Sequence, residues 1–507
     1  LLLLTLLFVA TCSAIAAPQD RKASRAMTAL KHVQKEQEEK QQAYSTAIAE
    51  VAKRCENSGF ADEAAKIREL AGKPETRILR VQPLPSSSQP DISANLPDDE
   101  KAWRTELRRL RTEYAKEMYL LSRRALKAGY PSYAWQLVHE TARQDPDHAI
   151  ARRILGFKRQ GDEWLTPFIA QMRRQNFVWH DQFGWLRKEQ VKEYEAGKRY
   201  YRRWMSVEQE AEIRRDFKNA WEVRTEHYLV KTNHSLERGV EIAKALENYH
   251  DFFIQTYAGF FNTPEQMQKL FQSAANGPSA ANLRNPYEVH YYRTRDEYAN
   301  RLRSKVPQID ITNGLYYTSD RVAYFYFDPK QDNSDTIYHE ATHQLFYENI
   351  RQERAIAVND NFWIIEGIAC YMESFHEQEG QWTLGDPKHI RIDSARYRFL
   401  NDGYYVPLSQ FAAMGMQAFQ SNPNIQKNYS QAAGLAHFFM HYDDGRYRDA
   451  LVEHISQLYR PDPRGKNRVQ SLEELTGTAF SELDREYGEY MKEMETSAPV
   501  SQAQKPN

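Results

Sequence analysis

The sequence predicts an α+β protein in which a mainly α-helical amino-terminal region leads into a domain of strands followed by helices. Three observations carry that reading. Helical spacing of apolar residues dominates as far as Gly156, alternating and aromatic segments appear only after Trp221, and helix signals return beyond the last of these segments.

The first residues run apolar through Phe8, Val9 and Ala10 and end in Ala14-Ile15-Ala16-Ala17, a pattern that signal peptidase cuts. A signal peptide over 1–16, cleaved before Ala17, is expected, and with it a secreted or periplasmic location. Neither Met nor a basic segment precedes Leu1, so the sequence reads as beginning inside the signal. The alternative is a lipobox ending at Cys12, which Thr11 fits poorly. No later apolar run reaches the roughly 18 residues that a membrane-spanning helix needs, so no membrane span is expected. The 68 basic and 69 acidic residues nearly cancel, and charge predicts no nucleic-acid partner. Beyond the signal, Cys55 and Cys370 are too far apart in context to suggest a disulfide framework, so a core rich in aromatic residues, 12% of the chain, must hold the fold.

Residues 17–71, rich in Ala, Lys, Glu and Gln, read as a helical segment. Residues 72–99 shift to Pro and Ser, cannot bury enough apolar surface to order themselves, and read as a linker. Residues 100–220 read as a helical region with a Trp-rich connector. Leu107, Leu110, Tyr114 and Met118 keep helical spacing, and Ala125, Gly129, Ala134 and Leu137 lead into Asp145-Pro146. This pattern resembles one tetratricopeptide-type helical hairpin. Trp164, Trp179, Trp185 and Trp204 follow among many arginines and lysines. They read as anchors for a long irregular connector, with a polymer-stacking surface as the alternative.

From Trp221 the alternation of Val223, Thr225, His227 and Leu229 suggests a strand, residues 236–257 a helix, 287–292 a strand and 295–302 a helix. Residues 314–317 and 322–327 read as a hairpin turning near Ser319 and Asp320. The domain is expected to extend over 221–495, with a disordered tail at 496–507.

After the hairpin comes Tyr338-His339-Glu340-Ala341-Thr342-His343, preceded by cap candidates in Asp332-Asn333-Ser334-Asp335. At about 100° per residue, His339 and His343 share one helix face and can reach one ion, while Ile337, Ala341 and Leu345 face the core. Glu340 sits beside the histidines, placed to hold water without being a ligand. A chance match in a chain of this length has a probability on the order of 0.03, so context decides. Zinc needs a third protein ligand and an open position for water. Glu366, alone in the apolar segment Phe362-Trp363-Ile364-Ile365-Glu366-Gly367-Ile368-Ala369, would be costly to bury unpaired, and a metal resolves that cost.

His339-Glu340-x-x-His343 with Glu366-Gly367-Ile368-Ala369 resembles the gluzincin metallopeptidases, particularly the peptidase MA-like families and aminopeptidase-N-like catalytic domains. The resemblance implies a zincin-like catalytic domain, one Zn2+ per chain on His339, His343 and Glu366, and Glu340 as general base. It also implies a carboxylate at Glu373 holding a ligand histidine and Tyr429, in Tyr429-Ser430-Gln431-Ala432-Ala433-Gly434, as the oxyanion donor. Surface carboxylate and packing tyrosine are the respective alternatives. Cys370 reads as a small buried hydrophobe, and His376, His437 and His441 as structural rather than extra ligands.

No Gly-x-Met-Glu-Asn segment, the grip of aminopeptidase-N-like enzymes on a free amino terminus, is present. Residues Ala323, Tyr324, Phe325 and Tyr326 are instead expected to form an edge strand that an extended peptide joins. The expected activity is therefore peptide or protein cleavage, as an endopeptidase more than an exopeptidase. A catalytically silent binding protein of the cell envelope and a zinc hydrolase of non-peptide amides are the alternatives.

Overall fold

The computed structural model of the protein describes residues 18–70, 78–276, 285–330, 334–349, 356–378, 380–460 and 468–494. The expected signal peptide and the tail at 496–507 lie outside the described residues.

Helices α1 (Pro18–Asn57) and α2 (Ala61–Leu70) precede a short strand, β1 (Leu79–Val81), and the long helix α3 (Asp98–Ala128). Val33, Ile48, Val51 and Cys55 of α1 meet Leu107, Met118 and Leu121 of α3 in one core, and Tyr44 stacks on Tyr114 with ring centroids 4.3 Å apart. α3 stops at Gly129, whose φ of 96° lets the N–H groups of residues 129 and 130 return to the carbonyls of Leu126 and Ala125. Pro131 then opens α4 (Pro131–Gln144), which is followed by α5 (Ala149–Ile154).

The Pro/Ser-rich stretch differs from a loose linker. Leu79–Val81 pairs antiparallel with residues 382–384, and arginines of α3 and α5 take up carbonyls further along. Arg108 donates to Pro90 and Ser88 at 2.6 and 3.0 Å, Arg111 to Gln89 at 3.3 Å, and Arg152 to Pro85. The stretch has too little apolar surface to fold alone, and it is ordered from outside through its backbone.

The Trp-rich connector is also regular. It consists of three hairpins, each followed by a short helix: β2 (Lys158–Gln160) and β3 (Glu163–Leu165) with α6 (Pro167–Arg174), β4 (Phe177–His180) and β5 (Gly184–Arg187) with α7 (Val191–Glu195), and β6 (Lys198–Tyr201) and β7 (Arg203–Ser206) with α8 (Val207–Arg214). Trp164, Trp185 and Trp204 each lie on the second strand of a hairpin. Trp185 packs edge-on against Trp179 and Phe168, which ties the middle unit to the first, and Tyr194 meets Trp204 in the third.

β8 (Trp221–Arg224) and β9 (Tyr228–Thr232) replace the single strand expected here, because Thr225 N–H bonds back to Tyr228 O at 2.9 Å and closes a turn at residues 225–227. The chain continues through α9 (Leu236–Thr256), α10 (Ala258–Phe261), α11 (Pro264–Asn276), β10 (Tyr287–Tyr292), α12 (Arg295–Leu302), β11 (Gly314–Tyr317) and β12 (Val322–Tyr326). The five-stranded sheet has the order β11-β12-β10-β9-β8, with β9, β10 and β12 parallel and the outer strands antiparallel to their neighbours. Parallel neighbours need crossovers, and α9 to α11 and α12 supply them.

This order corrects the expected edge strand. Ala323, Tyr324, Phe325 and Tyr326 lie between β10 and β11 and are all buried, so β12 offers no open backbone to a peptide. The edge on this side is β11, where burial alternates along Gly314–Tyr317.

The remaining elements are α13 (Ser334–Glu348), α14 (Phe362–Met372), β13 (His376–Gln378), β14 (Gln381–Leu384), α15 (Ile390–Leu400), α16 (Leu408–Ala412), α17 (Met416–Gln420), α18 (Ile425–His441), α19 (Arg448–Tyr459), α20 (Leu472–Thr476) and α21 (Phe480–Glu493). The described residues thus form an α+β structure. One large core joins the sheet to these helices, and the amino-terminal helices dock on it through α4. Ser132 Oγ accepts from Gly259 N–H at 3.3 Å and Ser132 N–H donates to Asp449 at 3.2 Å.

If arginines order residues 82–96, Arg108→Ala with Arg152→Ala releases them, since a charged donor's hydrogen bond contributes about 1.5–3 kcal/mol. Hydrogen exchange measured by mass spectrometry is expected to rise at least tenfold in that segment and to stay unchanged in α18. Unchanged exchange at 82–96 would contradict this account.

Candidate metal centre

The position of the site follows from how α13 is held. Ile337, Ala341 and Leu345 are buried in the large core, and Tyr249 of α9 reaches over to Thr342 Oγ1 at 2.6 Å and the Tyr338 carbonyl at 3.2 Å. That rotation leaves His339 and His343 together on the other face. Of the expected caps, Asp332 and Asn333 lie outside the described residues, and the helix begins at Ser334.

α14 brings the third donor. Phe362, Trp363, Ile364, Ile368 and Met372 bury its apolar surface, and Gly367 lets it cross α18 at close range. A Cβ at Gly367 would lie 2.6 Å from the Ala432 carbonyl oxygen, so no other residue permits that approach. Glu366 is thereby carried to the histidines.

The Nε2 atoms of His339 and His343 are 3.2 Å apart, and Glu366 Oε2 lies 3.6 Å from the first and 3.9 Å from the second. Donors around a tetrahedral zinc with bonds of about 2.0–2.2 Å are about 3.4 Å apart, so one ion fits this triangle with little adjustment. Two imidazoles and a carboxylate suit zinc and leave its fourth position open.

The electrostatics reflect how closely these groups are gathered. Burial pushes the Glu366 carboxyl up, but the two imidazoles outweigh it and hold it below the usual carboxylate range. Burial works against a charged His339, yet Cys370, Glu366 and Glu373 together raise it well above the usual imidazole range, whereas burial lowers His343.

Behind the ligands, His339 Nδ1 meets Glu373 Oε1 at 2.8 Å, and Arg391 of α15 grips the same carboxylate with Nε at 2.6 Å and Nη2 at 3.0 Å. Glu373 is buried, and its charge is balanced by that pair of partners. Holding Nδ1 fixes the ring so that Nε2 faces the site. Glu340 stays outside the ligand triangle and accepts the Tyr316 N–H of edge strand β11 at 2.7 Å. Tyr429 of α18 lies near Glu366, and burial, then the Glu366 charge, raises its phenol well above the usual range, so it keeps its proton.

The structure therefore gathers His339, His343, Glu366, Glu340, Glu373 and Tyr429, and leaves Ala323–Tyr326 inside the sheet. His437 is bonded to Gly385 O at 2.9 Å and Tyr490 at 2.8 Å, His441 to Tyr371 at 2.7 Å, and His376 is exposed on β13. Cys370 is buried beside His339 and Glu373, and burial raises its thiol, which keeps it neutral. Two participants escaped the sequence. Arg391 sits on another helix with no motif around it, and the Tyr316 contribution is a backbone group.

The model of a family described as "Protein of unknown function (DUF1570)" matches residues 333–463. That stretch runs from α13 to α19 and holds every ligand candidate together with Glu340, Glu373, Arg391 and Tyr429. No curated protein matches the chain.

Two substitutions test this geometry. Glu373→Gln is expected to weaken zinc binding about 10–100-fold by competition with a chelator, as loss of a carboxylate behind a ligand histidine does. Gly367→Ala is expected to destabilise the protein by about 1–3 kcal/mol in chemical denaturation, because the added methyl meets backbone. Wild-type affinity in the first or wild-type stability in the second would contradict the arrangement.

Proposed function

We propose that the chain is a zinc-dependent peptidase of the gluzincin type, with a zincin-like catalytic domain over 221–495 and one catalytic Zn2+ on His339, His343 and Glu366. One observation carries the reading. Glu340 shares the helix that bears both histidines, takes no place among the three converging donors, and is tethered to the edge strand by the Tyr316 N–H at 2.7 Å. A metal held only for structure has no use for a carboxylate placed so.

A bound zinc supplies Lewis acidity and lowers the pKa of a water it holds to about 7. With zinc bound, Glu340 would serve as the base that accepts the proton of the attacking water and would return it to the leaving amine. Tyr429, protonated beside Glu366, donates its hydroxyl hydrogen to the oxygen of the scissile carbonyl as negative charge develops there. Arg391 and Glu373 keep His339 oriented throughout.

The substrate runs along β11. Gly314–Tyr317 is an edge strand of the sheet whose Tyr316 N–H is held by Glu340, so an extended peptide can add there as another strand once that bond is exchanged, in place of the interior residues 323–326. An open edge accepts the middle of a chain as readily as its end, which favours endopeptidase action. Export by the amino-terminal segment completes the reading. The tetratricopeptide-like pair α3 and α4 serves as a docked support, because its surface is occupied by α1 and by the catalytic domain.

The test is cleavage of a quenched peptide library by the zinc-loaded protein and by Glu340→Gln. Activity is expected to fall about 10²–10⁴-fold while zinc is retained. Undiminished cleavage in that variant would refute the mechanism, and bound zinc with no cleavage of any peptide by the wild type would favour a binding protein.

A further inference from the structure

Outside this centre, a second group of metal-binding side chains converges where the β8–β9 turn meets α9. His227 comes from the turn, and Glu247, His250 and Asp251 come from successive turns of the helix. His227, His250 and Asp251 each bring a donor atom within 4.8 Å of the others. The two imidazole rings lie face to face, with centroids 3.7 Å apart and planes 17° from parallel. His250 Nδ1 lies 3.7 Å from Asp251 Oδ1.

The surroundings are those of a ligand site. Glu247 grips His227 twice, accepting its backbone N–H at 3.2 Å through Oε2 and its Nδ1 through Oε1. This repeats what Glu373 does for His339: one ring nitrogen is held by a carboxylate and the other is left for a ligand. Glu226, next to His227, adds a third carboxylate and is anchored by Thr166 at 2.6 Å. Three carboxylates thus converge on two imidazoles. The side chain of His250 is 9% exposed and that of Asp251 57%, so the group is walled on one side and open on the other. An ion can enter there and keep water in its remaining positions.

We propose that His227, His250 and Asp251 bind a second divalent transition-metal ion of the zinc class, with Glu247 orienting His227. Donors around zinc lie about 3.4 Å apart and each imidazole holds a metal in its ring plane, so filling the site draws the donors together and turns one of the two stacked rings out of the stack. The ion clips the β8–β9 turn to α9. Its place along the helix gives the clip a consequence. Tyr249, which directly precedes His250, is the residue that bonds to Thr342 and the Tyr338 carbonyl of α13. A metal at this end of α9 therefore stiffens the support of the helix that carries His339 and His343.

The experiment removes the first site and asks whether zinc still binds. The full chain carrying His339→Gln and His343→Gln is titrated with zinc, with metal content read by mass spectrometry after dialysis and the thermal midpoint followed. This variant is expected to keep one equivalent and to gain thermal stability with zinc. Adding His227→Gln, or separately Asp251→Asn, is expected to weaken that binding at least tenfold. Asp251 is mostly exposed, so its substitution leaves the fold intact, and circular dichroism verifies both variants. No zinc retained by the first variant, or undiminished binding in both of the further ones, overturns the proposal. Because the first centre is absent throughout, the result does not depend on whether the chain is a peptidase.

Discussion

A carboxylate on an apolar helix is the constraint around which the site is built. Glu366 lies on α14 among Phe362, Trp363, Ile364 and Ile368, where an unpaired charge would cost several kcal/mol. Removing that cost requires positive charge close by, and α13 brings two imidazoles to the carboxylate, which hold it below its usual range. The proposed zinc would take donors from both helices at once. Gly367 is the backbone half of the same solution, because it lets α14 lie against α18 and brings Tyr429 to Glu366.

Support passes outward from there in layers. Glu373 and Arg391 orient His339, Tyr249 sets the rotation of α13, and α9 in turn rests on the sheet. Each layer uses a polar contact inside an otherwise apolar core, so the histidines stand where packing and hydrogen bonding agree. The amino-terminal helices add to this frame through Ser132 and α4 rather than reaching the ligands.

Much of the site was legible because its signals are local. His339 and His343 are one helical turn apart, and Glu366 announces itself by its apolar neighbours. Glu373 and Tyr429 came from resemblance, and Glu373 lies 2.8 Å from His339 Nδ1. The edge strand is not where the sequence reading puts it, because β11, the strand before it in the chain, pairs on its outer side. The corrective signal lay in the sequence: Val322-Ala323-Tyr324-Phe325-Tyr326 is continuously apolar, as strands flanked on both sides are. The three hairpins escaped because their strands of three or four residues are too short and too charged to alternate visibly. The stretch at 78–97 escaped because what orders it, a row of arginines, lies on other elements.

The central claim is that three side chains share one ion. Anomalous diffraction at the zinc absorption edge, from crystals of the zinc-loaded protein, tests it most directly. The account predicts a peak about 2.0–2.2 Å from His339 Nε2, His343 Nε2 and Glu366 Oε2 together. A zinc-loaded crystal with no peak between those atoms, or one in which Glu340 replaces Glu366 as the third ligand, would contradict it.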